Sequence, residues 1–265
     1  MPYGSVLVVD DLETNIYVAK GLLCPYGLKI ESAGSGLEAI EKISAGKTYD
    51  IIFMDHMMPI MDGLTATKII RDLGYEGQIV ALTADVVIGR EKMFLSNGFD
   101  GFISKPIDSL ELNNLLNSLI RDKQPALVIE AARREQKEQK RGETEKAPEP
   151  PAAYFVHDAD KALKTLQAFL KKLPDPGEKE IELFIITAHG IKNALNNIGQ
   201  ADLSGQALKL ERAGANYDMD FIARETPPFM ETLESLIKTF RAALYIDQPT
   251  ELIQNEVHPV KAYLA

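Results

Sequence analysis

Residues 50–63 read Asp50-Ile-Ile-Phe-Met-Asp55-His-Met-Met-Pro59-Ile-Met-Asp62-Gly63, an apolar run that ends in a carboxylate and is followed by a turn. A short, continuous apolar run bounded by turn residues is typical of a strand buried on both faces of a parallel sheet. Asp55 therefore stands where the predicted strand ends. Polar groups at this end of such a strand collect in the functional crevice, so Asp55 is the first candidate functional residue.

Strand-like and helix-like segments alternate five times over roughly the first 120 residues. The predicted strands are Ser5–Asp10, Lys29–Ala33, Asp50–Asp55, Gln78–Thr83 and Phe99–Ser104. The helices predicted to follow them lie near Ile16–Leu23, Leu37–Ser44, Leu64–Leu73, Val86–Ser96 and Ser109–Arg121. This alternation predicts an α/β domain with a five-stranded, doubly wound parallel sheet over residues 1–123.

The composition changes after this domain. Residues 124–152 are rich in charge and end in Pro148-Glu-Pro150-Pro151, which predicts a linker that is helical in part, up to about Arg141. Residues 153–265 show helical periodicity, for which we predict an antiparallel helical bundle. The predicted interruptions of its helices are Pro174–Gly177, Gly199, Gly214–Asn216 and Pro227–Pro228.

Charge and composition exclude several classes of protein. A net charge of -10 argues against binding to nucleic acid, which requires clustered Lys and Arg. The single cysteine, Cys24, rules out an internal disulfide framework, and we expect it to pack against its neighbours. No apolar run reaches the ~18 residues of a membrane span, so we expect no membrane segment in this chain. We expect a cytoplasmic location, whether the chain stands alone or is part of a larger membrane-bound protein.

Five polar residues stand at the ends of four predicted strands: Asp10, Asp11, Asp55, Thr83 and Lys105. Three carboxylates at one edge repel one another unless a cation neutralises them, and oxygen ligands suit Mg²⁺ or Mn²⁺. Asp55 is then a candidate nucleophile that accepts a phosphoryl group as an acyl phosphate. Thr83 and Lys105 would stabilise the phosphoryl oxygens by a hydrogen bond and a positive charge.

Four motifs carry a resemblance to response-regulator receiver domains, over roughly Ser5 to Arg121. They are Val8-Val9-Asp10-Asp11, Met54-Asp55-His-Met-Met-Pro59-Ile-Met-Asp62-Gly63, Leu82-Thr83-Ala84 and Ser104-Lys105-Pro106.

The resemblance implies that Asp55 is phosphorylated from a phosphohistidine and that the acidic pair binds magnesium. It further implies that the backbone of Met57 completes the metal shell. Thr83 and Phe102 would form a switch pair that re-orients on phosphorylation.

A second candidate site is His189, on a helix predicted from about Glu178 to Ile198. The apolar positions of this helix form one stripe, and His189 lies off it beside Lys192 and Asn193, so we expect an imidazole that is at least partly exposed. With no ligand set nearby, an imidazole close to its usual pKa of ~6.5 is a competent nucleophile.

The segment Ala188-His189-Gly190-Ile191-Lys192-Asn193-Ala194 resembles the signature of histidine-phosphotransfer (HPt) domains, with a weaker match over about Tyr154 to Leu244. That family commonly has a small residue four places after its histidine, where this chain has Asn193. The resemblance implies that His189 receives and donates phosphoryl groups, supported by Lys192 and Asn193.

Together the two halves predict a two-component phosphorelay protein. The implied partners are a sensor histidine kinase, a downstream response regulator, and the other half of the same chain, which a linker of about 30 residues brings within roughly 30 Å. No Gly-x-x-x-x-Gly-Lys-Ser/Thr loop is present, so we predict no ATP-dependent kinase activity, while a receiver autophosphatase activity stays open.

Two other functions stay open at this point. One is a metal-dependent aspartyl phosphohydrolase that uses Asp55 as nucleophile. Such enzymes usually carry a second Asp two residues further on, where this chain has Met57. The other is a scaffold that works without phosphorylation, which the complete set of acids, Thr83 and Lys105 argues against.

Overall fold

The computed structural model describes residues 1–83, 90–139 and 151–246. Parts of three predictions lie outside these residues: the motif position Ala84 with the start of the helix predicted at Val86–Ser96, the Pro-rich part of the linker, and residues 247–265.

The first part of the chain is a five-stranded parallel sheet, as the sequence predicts. Its strands are β1 (Ser5–Val9), β2 (Lys29–Ala33), β3 (Ile51–Asp55), β4 (Gln78–Thr83) and β5 (Gly101–Ser104), in the order β2-β1-β3-β4-β5. The chain winds from β1 to one edge and then back past β1 to the other edge. The crevice of such a sheet lies beside this reversal, at the carboxyl ends of β1 and β3.

Helices cover both faces of the sheet: α1 (Glu13–Leu23), α2 (Gly36–Ser44), α3 (Gly63–Asp72), α4 (Arg90–Ser96) and α5 (Ser109–Leu119). Alternate strand residues enter two separate apolar cores; Leu7, Ile52 and Ile79 belong to one, and Val6, Ile51 and Val80 to the other. Burial on both faces explains why the strands are continuous apolar runs rather than alternating patterns.

The second described part is helical, as predicted. After a 3₁₀ turn at Arg121–Lys123 come α6 (Ala126–Gln139), α7 (Pro151–Leu170), α8 (Glu178–Asn197), α9 (Ala201–Ala215) and α10 (Met219–Ile246). Helices α7 to α10 share one apolar core, which includes Phe155, Phe184, Leu195, Leu210 and Phe229. Their antiparallel bundle arrangement stays a prediction. Within the described part of the chain, no helix is long and apolar enough to cross a membrane.

Two sequence-based expectations are wrong. Helix α10 continues through Pro227 and Pro228, although we predicted a break there. The two prolines remove two backbone donors, but buried Ile222 before them and Phe229 after them both pack in the helical core and hold the helix together. Cys24 is exposed rather than packed, because it lies in the turn Cys24–Tyr26 that ends α1.

The two parts of the chain contact each other through α1, which packs against α7 and α8. Leu12, immediately before α1, packs into the apolar core of the helical part. Tyr17 of α1 stacks on Tyr154 of α7 with ring centroids 4.9 Å apart. The carboxyl edge of the sheet therefore faces the helical part.

Gly63 fixes the end of β3, and its substitution provides a test. A Cβ atom at this position would lie 2.0 Å from the backbone oxygen of Asp55, and the Gly63 amide donates to the backbone oxygen of His56. We expect Gly63→Ala to lower the free energy of unfolding by about 2 kcal/mol or more, because backbone must move to relieve the overlap.

Urea unfolding followed by circular dichroism measures this change. The matched control is Gly21→Ala, an exposed helical position in α1 with no atom within 4 Å of the new Cβ. It should raise the free energy of unfolding by roughly 0.5–1 kcal/mol. Equal effects of the two substitutions on the free energy of unfolding would contradict a close contact between Gly63 and the end of β3.

Candidate functional site at the carboxyl edge of the sheet

Three carboxylates meet at the carboxyl ends of β1 and β3. Oxygen atoms of Asp10, Asp11 and Asp55 all lie within 4.8 Å of one another. The Lys105 ammonium, just after β5, lies 2.7 Å from Asp10 Oδ2 and 3.0 Å from Asp55 Oδ1. The second contact is an ion pair rather than an aligned hydrogen bond. The structure thus brings together the charged residues that the sequence placed at separate strand ends.

One lysine does not neutralise three acids, and the pKa values reflect this. Burial raises the pKa of Asp11 to about 8, helped by the negative charges of Asp10 and Asp55. Burial also raises the pKa of Asp55 to about 6, although Lys105 opposes that rise. For Lys105, burial alone would lower the pKa, but the two carboxylates beside it raise the value above its usual range. The edge has an excess of negative charge that a divalent cation would relieve.

The remaining predicted residues of this site lie on β4, on β5 and in the loop after β3. Thr83 is buried at the end of β4, one register position beyond the pair formed by Asp55 and Leu82. Phe102 lies on β5 with its ring stacked against that of Phe94, 6.2 Å between centroids. Met57 is half-buried in the loop after β3.

His189 is buried, with 2% of its surface exposed. Its Nδ1 atom lies 2.7 Å from Glu211 Oε1, and the Lys192 ammonium lies 2.7 Å from Glu211 Oε2. Within the described part of the chain, the buried Nε2 atom of His189 has no hydrogen-bond partner. Nδ1 of the ring thus lies against the Glu211 carboxylate and 3.2 Å from the Lys192 ammonium, while Nε2 faces neither of these groups.

The expectation that His189 is at least partly exposed is therefore wrong. The polar face of α8 is covered by Glu211 of α9 and by the α/β part, and neither neighbour can be read from α8 alone. Sequence reasoning also missed Glu211. A signal existed, because Glu211 lies four residues after buried Ala207 and beside buried Leu210, so it is an acid on the apolar stripe of α9.

His189 faces the acidic edge of the sheet. Its ring meets that of His56, which directly follows Asp55, edge to face with centroids 6.1 Å apart. When its ring is protonated, the positive charge of His189 also lowers the pKa of the Asp55 carboxyl. Asn15 extends the contact by donating to the Asp10 carboxylate and accepting a hydrogen bond of 2.8 Å from Asn197 of α8. A small cavity between the parts is lined by Asp10, Asn15, Lys105, Asn193 and Asn197, among others.

Comparison with known proteins identifies the α/β part. The family model of the response regulator receiver domain matches residues 6–117. Two-component response regulator 24 of Arabidopsis thaliana is 36% identical over 115 residues, which cover 43% of this chain and 83% of that protein. The chain belongs to the response regulator receiver family. Its receiver domain holds Asp10, Asp11, Asp55, Thr83 and Lys105.

Other relatives are longer proteins. The osmosensing histidine protein kinase SLN1 of Saccharomyces cerevisiae is 45% identical over 118 residues, which cover 42% of this chain but only 10% of the kinase. Among solved structures, the receiver domain of the Francisella response regulator 1452 is 29% identical, covering 46% of this chain and 99% of that one with a TM-score of 0.41. The match to the yeast kinase, by contrast, covers only a small part of that kinase.

The contact between Glu211 and His189 predicts a dependence of stability on pH. Burial would raise the pKa of Glu211, but the hydrogen bond and charge of His189, together with Lys192, hold it below its usual 4.5. An acid with a lowered folded pKa contributes stability above its unfolded pKa and loses it as the pH falls through the folded value. We therefore expect the stability advantage of wild type over Glu211→Gln to shrink as the pH falls below about 4.5.

Urea unfolding over a pH series measures this difference. The matched control is Glu234→Gln, an exposed glutamate on α10, whose effect should be close to zero throughout. An advantage over Glu211→Gln that stays constant from neutral to acidic pH would contradict the prediction.

Proposed function

We propose that this chain is a phosphorelay protein in which a phosphoryl group passes between Asp55 of the receiver domain and His189 of the helical part, which acts as an HPt-like domain. The observation that carries the proposal is the orientation of His189. Its unpartnered Nε2 atom is buried, while its ring lies against His56 beside the phosphoacceptor candidate.

The tautomer of His189 suits nucleophilic chemistry at Nε2. Both Glu211 Oε1, at 2.7 Å, and the Lys192 ammonium, at 3.2 Å, lie near Nδ1 of His189. A carboxylate only accepts hydrogen bonds and the Glu211 contact is the shorter one, so we assign the proton to Nδ1, with Lys192 donating to Glu211 Oε2 instead. The lone pair of the neutral ring then resides on Nε2. Lys192, which bonds the second oxygen of Glu211, keeps that carboxylate in place.

The transfer step is an exchange of one bond for another. With the phosphoryl group on Nε2 of His189, a carboxylate oxygen of Asp55 attacks phosphorus, the new O–P bond forms and the N–P bond breaks. The lone pair returns to Nε2, and Glu211 keeps the proton on Nδ1. The reverse step forms the N–P bond and releases the Asp55 carboxylate, so the same contacts serve both directions.

Asp10, Asp11 and Asp55 form an oxygen-only donor set that fits Mg²⁺ or Mn²⁺, and the backbone of Met57 is the proposed fourth donor. The raised pKa values of Asp11 and Asp55 support this fit, because burial and, after it, the neighbouring carboxylates disfavour the anionic forms that a bound cation would stabilise. A bound cation would screen these carboxylates from an incoming phosphoryl group. Thr83 and Lys105 would stabilise its oxygens, with Thr83 and Phe102 as the proposed switch pair.

The names of the relatives indicate the outside partners. One is an osmosensing histidine protein kinase and another is a two-component response regulator. We infer that phosphoryl groups reach Asp55 from the phosphohistidine of a sensor kinase and leave His189 for another receiver domain.

The phosphohydrolase alternative is less well supported. The residue two places after Asp55 is Met57, so a general acid is missing from the position where such enzymes usually carry one. A scaffold that needs no phosphorylation gives no reason for the Glu211 contact that orients His189.

Phosphoryl labelling with site mapping tests the relay. When a histidine-kinase donor supplies labelled phosphoryl groups, wild type should carry label on Asp55 and His189. Asp55→Asn should lose label at both residues if Asp55 is the entry point, whereas His189→Gln should keep label on Asp55. Labelling of the wild type that neither substitution changes would disprove the proposal.

Mixing the two variants distinguishes transfer within one chain from transfer between chains. A His189→Gln chain labelled on Asp55 should pass little label to His189 of an Asp55→Asn chain, because a helical part tethered to the same chain is present at a far higher effective concentration than one on another chain. Exchange between the chains as fast as in the wild type would contradict transfer within one molecule.

Removal of divalent cations tests the acidic site. With acetyl phosphate as donor, we expect EDTA to abolish labelling of Asp55 and added Mg²⁺ or Mn²⁺ to restore it. Asp11→Asn should need a higher Mg²⁺ concentration for half-maximal labelling, because it removes one anionic oxygen donor. The control is Asp72→Asn at the end of α3, which should leave this concentration unchanged. Full labelling in EDTA would contradict the metal assignment.

A further inference from the structure

Helix α1 of the receiver domain lacks a capping side chain of its own. Helices α2, α3 and α5 each have an N-cap residue whose side chain accepts a hydrogen bond from an amide of the first turn. These residues are Ser35, Asp62 and Asp108, respectively. The residue at this position of α1 is Leu12, which has no such group. The first amides of a helix need an acceptor from elsewhere.

Asp158 of α7 supplies that acceptor from the helical part. Its Oδ1 atom accepts from the Glu13 amide at 3.2 Å. Its Oδ2 atom accepts from the Thr14 amide at 2.8 Å and from the Thr14 hydroxyl at 2.7 Å. Asp158 is 1% exposed, and a buried carboxylate is stable only where donors such as these compensate it. Both of its oxygens are used on a single turn of the receiver domain.

The contacts around Asp158 leave little room for another arrangement. A Cβ atom on Gly190, next to His189, would lie 3.2 Å from the Leu12 side chain, so the two parts approach closely there. His157 Nδ1 lies 3.1 Å from a carboxylate oxygen of Glu13. Tyr154, one turn before Asp158 in α7, stacks on Tyr17, one turn after Glu13 in α1. Together these contacts fix the position of α7 on α1, and hence of α8 with His189 on the acidic edge.

We propose that Asp158 is a docking residue by which the helical part recognises its own receiver domain, through capture of the uncapped first turn of α1. This inference rests on the proposed function only for its consequence, which is that the transfer step between Asp55 and His189 stays within one chain. A competing domain without a carboxylate at this position would leave the Glu13 and Thr14 amides without an acceptor. The uncapped first turn of α1 therefore favours a partner domain that carries a carboxylate at the position of Asp158.

The test uses the full chain and needs no phosphate chemistry. Nitroxide labels on Cys24, which is exposed, and on Lys209→Cys, at an exposed position of α9, report the distance between the two parts. We expect one narrow distance distribution in the otherwise native chain. Asp158→Asn should broaden it, because one of the two acceptor oxygens becomes an NH₂ group that faces an N–H group of α1. Amide hydrogen exchange at Glu13 and Thr14 should rise about tenfold, the scale on which loss of an N-cap acts.

Two further variants separate docking from folding. Asp160→Asn is the matched control, because Asp160 lies two residues along α7 and pairs with Arg241 rather than with the receiver domain. It should leave the distance and the exchange unchanged. Thr14→Val keeps the side-chain shape but removes one donor to Asp158, and its effect should be smaller when Asp158→Asn is already present.

The outcomes for docking and for phosphoryl transfer are distinguishable. An unchanged distance distribution and an exchange change below twofold in Asp158→Asn would overturn the role of Asp158, whatever the relay does. Broadening in Asp158→Asn but not in Asp160→Asn supports it, even if His189 never carries label. If the relay operates, Asp158→Asn should also allow label to pass between chains in the mixing experiment.

Discussion

The rest of the site depends on one interaction, the contact of the Lys105 ammonium with the carboxylates of Asp10 and Asp55. It joins the ends of β1 and β3 to the segment after β5, and all three groups are almost completely buried. A buried ion pair of this kind persists only where the geometry is fixed by the surrounding structure. The two apolar cores supply that rigidity, because each strand is anchored on both faces of the sheet. The excess negative charge at the edge is therefore a consequence of the fold.

The helical part completes this edge with a second buried charged cluster. His189, Lys192 and Glu211 form a chain of contacts on α8 and α9, and among the described residues the Nε2 atom of His189 has no hydrogen-bond partner. Burial strengthens such contacts, since the effective dielectric constant is lower than in water. The acidic edge of the sheet and this second cluster face each other, which explains why the polar face of α8 is buried between the two parts of the chain. The hydrogen bonds of Asn15 to Asp10 and from Asn197 connect the acidic edge to α8, the helix that carries His189 and Lys192.

Much of the receiver domain could be predicted from sequence, for a local reason. Each strand is a continuous apolar run, and each of Asp10, Asp55 and Thr83 directly ends one, so position along the chain already gives position at the edge. Less of the helical part could be predicted from sequence. Periodicity identified its helices and the stripe of α8, yet it could not pair α8 with α9. Glu211 was therefore missed, and the Pro227–Pro228 pair was given more weight than the core contacts on either side of it.

The sequence by itself determined the parallel sheet, the convergence of the acidic residues and Lys105, and the candidate histidine. These follow from hydrophobic periodicity and from the common direction of parallel strands, which are properties of each segment alone. Only the tertiary structure decided that His189 is buried, that Glu211 holds its ring, and that Asp158 caps α1. These contacts join residues between 22 and 145 positions apart, and their formation depends on how separate elements pack, which no local pattern encodes.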